Sequence, residues 1–180
     1  MRERLDFITP TLMAVLNLFL SDPIGEYYER EVVRKTKVSK GSANKMLRLL
    51  ANLGLLTRER KGRMVLYRLD EREAIVRQFK ILTNVYALKK LTDRTKEESR
   101  RIVLFGSCAQ GTDVKDSDID LFILTSAKDS VRREVSEFNR SNDRKVAPII
   151  VDANELLKLK REDRPLYENV QKGIVLWQRE

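Results

Sequence analysis

The chain has 180 residues, 42% of them hydrophobic and 35% charged, which is enough apolar material for one domain or two small ones and excludes a wholly disordered chain. It contains no histidine and one cysteine, Cys108. That excludes Ser-His-Asp and Cys-His catalysis, histidine-ligated zinc, a cysteine zinc cluster and an internal disulfide, so any catalysis falls to carboxylates, hydroxyls, Lys, Arg, Tyr or a metal held by oxygen.

The net charge of +9 lies wholly in the first half: residues 1–91 carry 19 basic and 10 acidic side chains, and residues 92–180 carry 17 of each. Such asymmetry points to a module for nucleic acid or another acidic surface, with a solvated basic surface as the alternative. No apolar run reaches the ~18–20 residues of a membrane helix. The mixed charges of residues 1–6 do not read as a signal peptide. The expectation is a soluble, cytoplasmic protein with no membrane contact.

In chain order, Pro10–Leu20 reads as a helix with Pro near its start and a stop at Ser21-Asp22-Pro23. Glu29–Thr36 is a short helical run that offers Val32 and Val33 to a core. Tyr27 and Tyr28 are packing residues or partner contacts. Ser39 suits an N-cap. Met46, Leu47, Leu49, Leu50 and Leu53 then form a buried stripe at helical spacing, closed by Gly54. Leu55–Arg60 and Met64–Leu69 read as strands joined by the turn Lys61-Gly62-Arg63. Residues 71–91 form a long amphipathic helix (Ile75, Phe79, Leu82, Val85, Tyr86, Leu88), a connector or dimer element, and residues 93–100 a charged linker.

Beyond the linker, strands alternate with helices. Strands are expected at Arg101–Phe105, Asp118–Leu124 and Lys145–Val151, and helices at Asp129–Asn139, Asn154–Lys160 and Pro165–Lys172. Gly106–Gly111 turns into a short helix, residues 113–117 form a polar loop, and Ile174–Trp177 closes as a strand or helix end. This order suggests a small α/β or α+β sheet domain, with Phe105, Phe122, Phe138 and Trp177 as core aromatics.

The helix starting at Ser39 presents Ser39, Lys40, Ser42, Asn44, Lys45 and Arg48, and the hairpin adds Arg58, Arg60, Lys61 and Arg63. Asn can pair with adenine and Arg with guanine, while Lys mostly meets phosphate. The pattern S-K-G-S-x-x-K-x-L-x-x-L-x-x-L-G-L-L followed by a basic hairpin resembles the winged helix-turn-helix of prokaryotic transcription regulators over residues 9–70. The resemblance implies double-stranded DNA as partner, and such readers pair on half-sites as symmetric dimers, here through the 71–91 helix. A protein-interaction winged helix is the alternative.

The segment I-V-L-F-G-S-C-A-Q-G-T-D-V-K-D-S-D-I-D-L-F-I-L is the most informative. Strand alternation puts Asp118 and Asp120 on one face, about 6–7 Å apart, where two carboxylates can chelate a hard cation such as Mg²⁺. Gly106-Ser107 follows a strand and opens a helix, so the backbone can approach a phosphate and the Ser hydroxyl can donate to it. The joined pieces resemble the Gly-Ser…Asp-x-Asp signature of the DNA polymerase β superfamily, especially its minimal nucleotidyltransferases, over residues 93–180. The tail P-L-Y-E-N-V-Q-K-G-I-V-L-W is similar to their closing segment.

That resemblance implies Gly106 and Ser107 on the triphosphate and Asp118 and Asp120 on two Mg²⁺ ions. It also implies transfer of a nucleoside monophosphate, such as AMP from ATP, to an acceptor hydroxyl with loss of pyrophosphate. Related minimal domains modify HEPN-type toxins, so a toxin-like protein is an expected partner. Two positions depart from the family pattern. Cys108 and Gln110 stand where minimal members often carry Arg. The strand expected to hold a third carboxylate has Ala147, Pro148 and Ile149 instead. Asp152, at that strand's end, is either a shifted third acid or the cap of the next helix. Cys108 is either a thiol of lowered pKa beside the phosphate turn or a small packing residue.

The expected architecture has two domains: a mainly α winged helix-turn-helix over 1–70, a connecting helix over 71–92, and an α/β (α+β) nucleotidyltransferase fold with a small mixed sheet over 93–180. Three functions stay open: a DNA-binding regulator fused to a Mg-dependent nucleotidyltransferase, a non-catalytic nucleotide sensor, and a structural remnant.

Overall fold

A computed structural model describes residues 5–179. Residues 1–4, part of the stretch whose mixed charges do not read as a signal peptide, lie outside the described residues. The chain divides into two compact units, Met1–Phe79 and Lys80–Glu180.

In the first unit, α1 (Pro10–Ser21) starts at Thr9, whose hydroxyl accepts from Leu12 N at 3.2 Å. Next come β1 (Glu26–Tyr28), α2 (Glu29–Thr36), α3 (Lys40–Asn52), β2 (Leu56–Lys61) and β3 (Met64–Leu69). The three strands form one antiparallel sheet in the order β1-β3-β2. Sequence reasoning missed β1, because three residues are too few to show an alternation. Its Tyr27 is a packing residue, buried with its ring edge-on to Phe19 at 5.4 Å. Leu12, Val15, Leu16 and Phe19 of α1 meet Leu47 and Leu50 of α3 in the core. Ser39 caps α3 by accepting from Ser42 N at 3.3 Å, and Gly54 ends it at φ +76°. β2 runs on through Lys61, paired with Met64, which narrows the turn to Gly62-Arg63.

The long helix, α4 (Ala74–Thr95), crosses the boundary between the units. Residues 93–100 are not the linker that their charge suggested. α4 runs to Thr95, a single 3-10 turn covers Lys96–Glu98, and β4 (Ser99–Leu104) follows at once. Lys89 pairs with Asp93 one turn on at 2.6 Å, so those charges support helix rather than loop. Thr95 and Ser99 are both 1% exposed, and their hydroxyls donate to the carbonyls of Leu91 and Thr95.

The second unit continues with α5 (Gly106–Gln110), β5 (Ile119–Thr125), α6 (Lys128–Ser141), β6 (Val146–Val151), α7 (Ala153–Glu162), α8 (Arg164–Gln171) and β7 (Ile174–Gln178). The sheet order is β6-β5-β4-β7, with β5 and β6 parallel and the other pairs antiparallel. This is the small mixed sheet expected of the C-terminal half. Successive residues of β5 feed two cores. Ile119, Leu121 and Ile123 pack with Leu88 and Leu91 of α4 and Val131 and Val135 of α6, while Phe122 packs with Val170 of α8 and Leu156 and Leu159 of α7. Pro148 sits on β6, an edge strand, where its missing N–H is tolerated. Among the described residues, no helix is long and apolar enough to cross a membrane.

Candidate active site

The antiparallel register of β4 and β5 sets Leu104 opposite Leu121, and Phe105 N donates to Asp120 O at 3.1 Å. Gly106 therefore lies against Asp120. A Cβ at position 106 would collide with Asp120 Oδ2 and stand 3.2 Å from its Cγ. Gly106 also adopts φ +67°, so glycine is required there twice over. Ser107 follows in α5, and its carbonyl accepts from Gly111 N and from Thr112 N, the latter at 3.1 Å, which closes this short helix.

Asp118, expected as the first residue of the strand that carries Asp120, lies outside it and is exposed, because β5 begins its pairing only at Ile119. Burial, and then the charge of Asp118, push the Asp120 carboxyl above the usual carboxylate range. Among the described residues, no cation forms an ion pair with either acid; the ion pairs of this unit engage others, such as Asp113 and Asp152. Two adjacent hard oxygen donors whose mutual repulsion is uncompensated suit a divalent cation. Among the described residues, no group of three or more His, Cys, Asp or Glu side chains could hold a metal on its own. Such an ion would take its other ligands from water and from a bound phosphate.

The structure does not bring Asp152 to this pair. β5 and β6 are parallel and in register, with Asp120 beside Ala147 and Leu124 beside Val151. Asp152 thus follows the far end of β6. There its Oδ1 accepts from Asn154 N at 2.9 Å and Glu155 N at 3.0 Å, and its Oδ2 meets Lys128 Nζ at 2.8 Å. The Lys128 ammonium holds its carboxyl below the usual range. Asp152 is the helix cap of the two alternatives, because the backbone of α7 and Lys128 already take its lone pairs. The register neighbour of Asp120 is the exposed Ala147, whose methyl cannot ligate.

Cys108 is fully buried among apolar residues, and burial pushes its thiol up rather than down. It is the packing residue of the two alternatives. Sequence reasoning missed a buried polar cluster under the loop that joins α5 to β5: Lys80 and Asn84 of α4, Asp113 of the loop, and Arg144 just before β6. Its one sequence signal was Lys80 and Asn84, a polar pair at i, i+4 inside an otherwise amphipathic helix.

In the first unit, the cap Ser39 and Lys40, Lys45 and Arg48 of α3 are exposed, as are Arg58, Arg60, Lys61 and Arg63 of the hairpin. Burial pushes the Tyr67 phenol up, and the charges of Arg58 and Arg48 draw it partly back. Ser42 is partly buried beside the Ser39 hydroxyl, at 3.0 Å. Asn44 is engaged internally, donating from Nδ2 to the Glu29 carboxylate of α2.

Comparison with the curated proteins gives no match. Similar solved structures include the following two. One, from Sulfolobus solfataricus and provisionally described as a nucleotidyltransferase, is 19% identical over 59% of this chain and 91% of its own, with a TM-score of 0.40. The other, a mutant of the toxin–antitoxin MntA–HpeT, is 22% identical over 53% of this chain and 74% of its own, with a TM-score of 0.38. The family described as "Nucleotidyltransferase domain" matches residues 87–176, a span that holds α5, β5 and the Gly106–Asp120 contact. On that match, which spans half its length, the chain belongs to the nucleotidyltransferase domain family.

Proposed function

We propose that the second unit binds a Mg²⁺-nucleoside triphosphate, with Gly106 and Ser107 on the phosphates and Asp118 and Asp120 on the metal. The observation that carries this reading is the seating of the Asp120 carboxylate against the bare Cα of Gly106. A phosphate drawn to that corner is then within reach of both the Ser107 hydroxyl and a cation on the acids. Two Mg²⁺ ions there would stabilise the attacking and leaving oxygens of an in-line transfer of a nucleoside monophosphate. Asp118 and Asp120 hold and orient; Gly106 leaves the space; Ser107 donates a hydrogen bond. A protein hydroxyl is the acceptor we favour, and a toxin-like protein is a candidate for it on the sequence resemblance alone.

Ala147 in register with Asp120 favours a second reading, in which nucleotide binds but turnover is slow and the unit acts as a sensor. One experiment separates the two. The protein is incubated with Mg²⁺, labelled ATP and then the other nucleotides, and candidate acceptors, beside an Asp118→Asn/Asp120→Asn control. Label transfer that the control loses supports the enzyme. Mg²⁺-dependent retention of ATP without transfer supports the sensor. No Mg²⁺-dependent retention sinks both.

For the first unit we propose a winged helix that reads duplex DNA, with α3 as recognition helix and β2–β3 as wing. The support is three helices with a three-stranded antiparallel sheet, and one basic set shared by α3 and the hairpin. Lys40, Lys45, Arg48, Arg58, Arg60, Lys61 and Arg63 are its contact residues, with Ser39 and Ser42 beside them. Asn44 enters the set only if Glu29 releases it. Retention on duplex DNA should fall by about 0.9 log unit per log unit of salt for each phosphate contacted. Salt-independent binding, or none at low salt, overturns it. Self-association through α4, where Leu82 and Tyr86 are 57% and 78% exposed, is the dimer arrangement we propose; a monomeric mass in solution excludes it.

A further inference from the structure

Asp118 and Asp120 are held in different ways. Asp120 lies within the sheet: its carbonyl accepts from Phe105 N, and it is paired with Ala147 on the other side. Asp118 has no ladder partner. It ends a stretch, 111–118, that makes no strand or helix, and its first sheet neighbour is Ile119, whose N–H donates to Lys145 O at 2.8 Å. Something other than β-pairing must fix it.

The cluster beneath the loop supplies the missing hydrogen bonds. Arg144 donates from Nε to Ser117 O at 3.3 Å and from Nη2 to Cys108 Sγ at 3.0 Å, and the Cys108 thiol in turn donates to Asp118 O at 3.6 Å. The carbonyls on both sides of the Asp118 Cα are thus addressed, one directly and one through sulfur. The remaining arm of the Arg144 fork, Nη1, reaches Asp113 Oδ2 at 3.1 Å and Asn84 Oδ1 at 2.9 Å. Asn84 Nδ2 donates to Asp113 Oδ1 at 3.0 Å and to Cys108 O at 3.1 Å. Lys80 Nζ donates to Asp113 O. Asp113, Asn84 and Lys80 are 5%, 4% and 2% exposed.

Apolar packing could hold this loop close, but it could not orient it. Directed bonds to successive carbonyls fix rotation as well as position, and a planar guanidinium fork does so in one plane. Leaving those part-buried carbonyls and the buried Asp113 carboxylate without donors would carry a desolvation cost, so the cluster acts as a unit.

We propose that Arg144, Asp113 and Asn84 are positioning residues: they lock the 111–118 loop so that Asp118 stands ready beside Asp120 for the metal. The inference rests on the nucleotide reading above and extends it from the metal-holding acids to the groups that aim one of them.

The test uses the whole chain, with Mn²⁺ as the probe ion and ATP retention as the signal. In Arg144→Gln, the Mn²⁺ midpoint should rise tenfold or more, while saturating Mn²⁺ restores the wild-type amount of bound ATP. Val135→Ala, a core truncation on α6 away from the loop, controls for general loss of stability; its midpoint should stay within twofold even where its Tm falls as far. An Arg144→Gln midpoint within twofold of wild type, or an equal shift in Val135→Ala, overturns the proposal.

Should Arg144→Gln not fold, Asn84→Ala with amide hydrogen exchange decides it. Amides of 112–118 should exchange at least tenfold faster than in wild type, with β5 unchanged from Leu121 onward. Equal acceleration across loop and strand, or none, counts against the lock. Wild-type protein that retains no ATP at any Mn²⁺ concentration overturns the parent reading; wild-type retention with an unshifted variant overturns this one alone.

Discussion

The two units treat polar groups in opposite ways. Among the described residues, the buried polar and charged side chains are Lys80, Asn84, Thr95, Ser99, Asp113 and Thr125, and every one belongs to the C-terminal unit. The N-terminal unit surrounds an apolar core with exposed basic side chains on α3 and the hairpin. A surface built for a charged polymer needs reach and hydration, so its cations stay in water. A site built for a small ion needs acids held within fractions of an ångström, and that takes directed hydrogen bonds under the backbone that carries them. The difference predicts where removal of one charge costs binding and where it costs the fold.

The largest effect belongs to the acid pair. Asp118→Asn and Asp120→Asn should each lower Mg²⁺-dependent ATP retention, or transfer where it occurs, by about 100-fold or more, with little change in the far-UV spectrum. Retention within threefold of wild type would remove the C-terminal half of the contrast. Ala147→Asp works in the other direction. It places a third carboxylate on an exposed position beside Asp120 and should raise label transfer by about tenfold or more. An unchanged rate would mean that the sensor reading does not depend on the missing acid. Gly106→Ala forces a Cβ onto Asp120 Oδ2 at positive φ, and should lose about 1–3 kcal/mol in stability together with most ATP retention.

Charge removal in the two units can then be compared directly. Asp113→Ala leaves Arg144 and Asn84 facing an empty site; Arg144 is 32% exposed, so water meets part of its need. We expect a loss of about 2–4 kcal/mol, read as a lowered denaturation midpoint. Arg48→Gln with Arg58→Gln should change stability by less than about 0.5 kcal/mol while flattening the salt dependence of DNA retention by about two log units per log unit. A stability loss there as large as that of Asp113→Ala would show that the basic surface is structural after all.

Much of the fold was legible because apolar runs and caps are local signals. The strands around Val103 and Phe122, the buried Met46, Leu47 and Leu50 of the α3 stripe (Leu53, expected with them, is exposed), and the cap and stop at Ser39 and Gly54 all lie within one element each. What was not legible depended on register or on distance. The order of residues showed that Asp152 followed a strand, but only the pairing of Asp120 with Ala147 showed which end of it faced the acids. The charges of 93–100 resembled a linker because the i, i+4 pairing of Lys89 with Asp93 and the buried hydroxyls of Thr95 and Ser99 leave no hydrophobic trace. The cluster under the loop joins residues 24 to 60 positions apart, such as Asn84 with Cys108 and with Arg144, and no window contains both ends. The Gly106–Asp120 corner was legible because Gly106 follows the end of one apolar strand and Asp120 lies at the start of the next, and the antiparallel register of β4 and β5 brings those ends together.

The smallest effect sharpens the contrast most, because its sign changes with the ligand. Burial and the neighbouring Asp118 raise the folded pKa of Asp120 above its unfolded value. Below the ordinary aspartate range, about pH 3, the group is protonated in both states and costs nothing. As pH rises through the raised value, the unfolded chain ionises more readily and the folded unit loses stability. Without metal at pH 7, Asp120→Asn should therefore melt slightly higher than wild type, and the two should converge near pH 3. Mg²⁺ and ATP should reverse the order, because a ligand of the native state alone stabilises wild type and finds no carboxylate in the variant. The same window governs binding: at fixed Mg²⁺, ATP retention should fall as pH drops through the raised pKa, since a proton and the metal compete for one oxygen pair. A variant that melts below wild type both with and without ligand would mean that Asp120 holds the fold together, and the strain assigned to the acid pair would not exist.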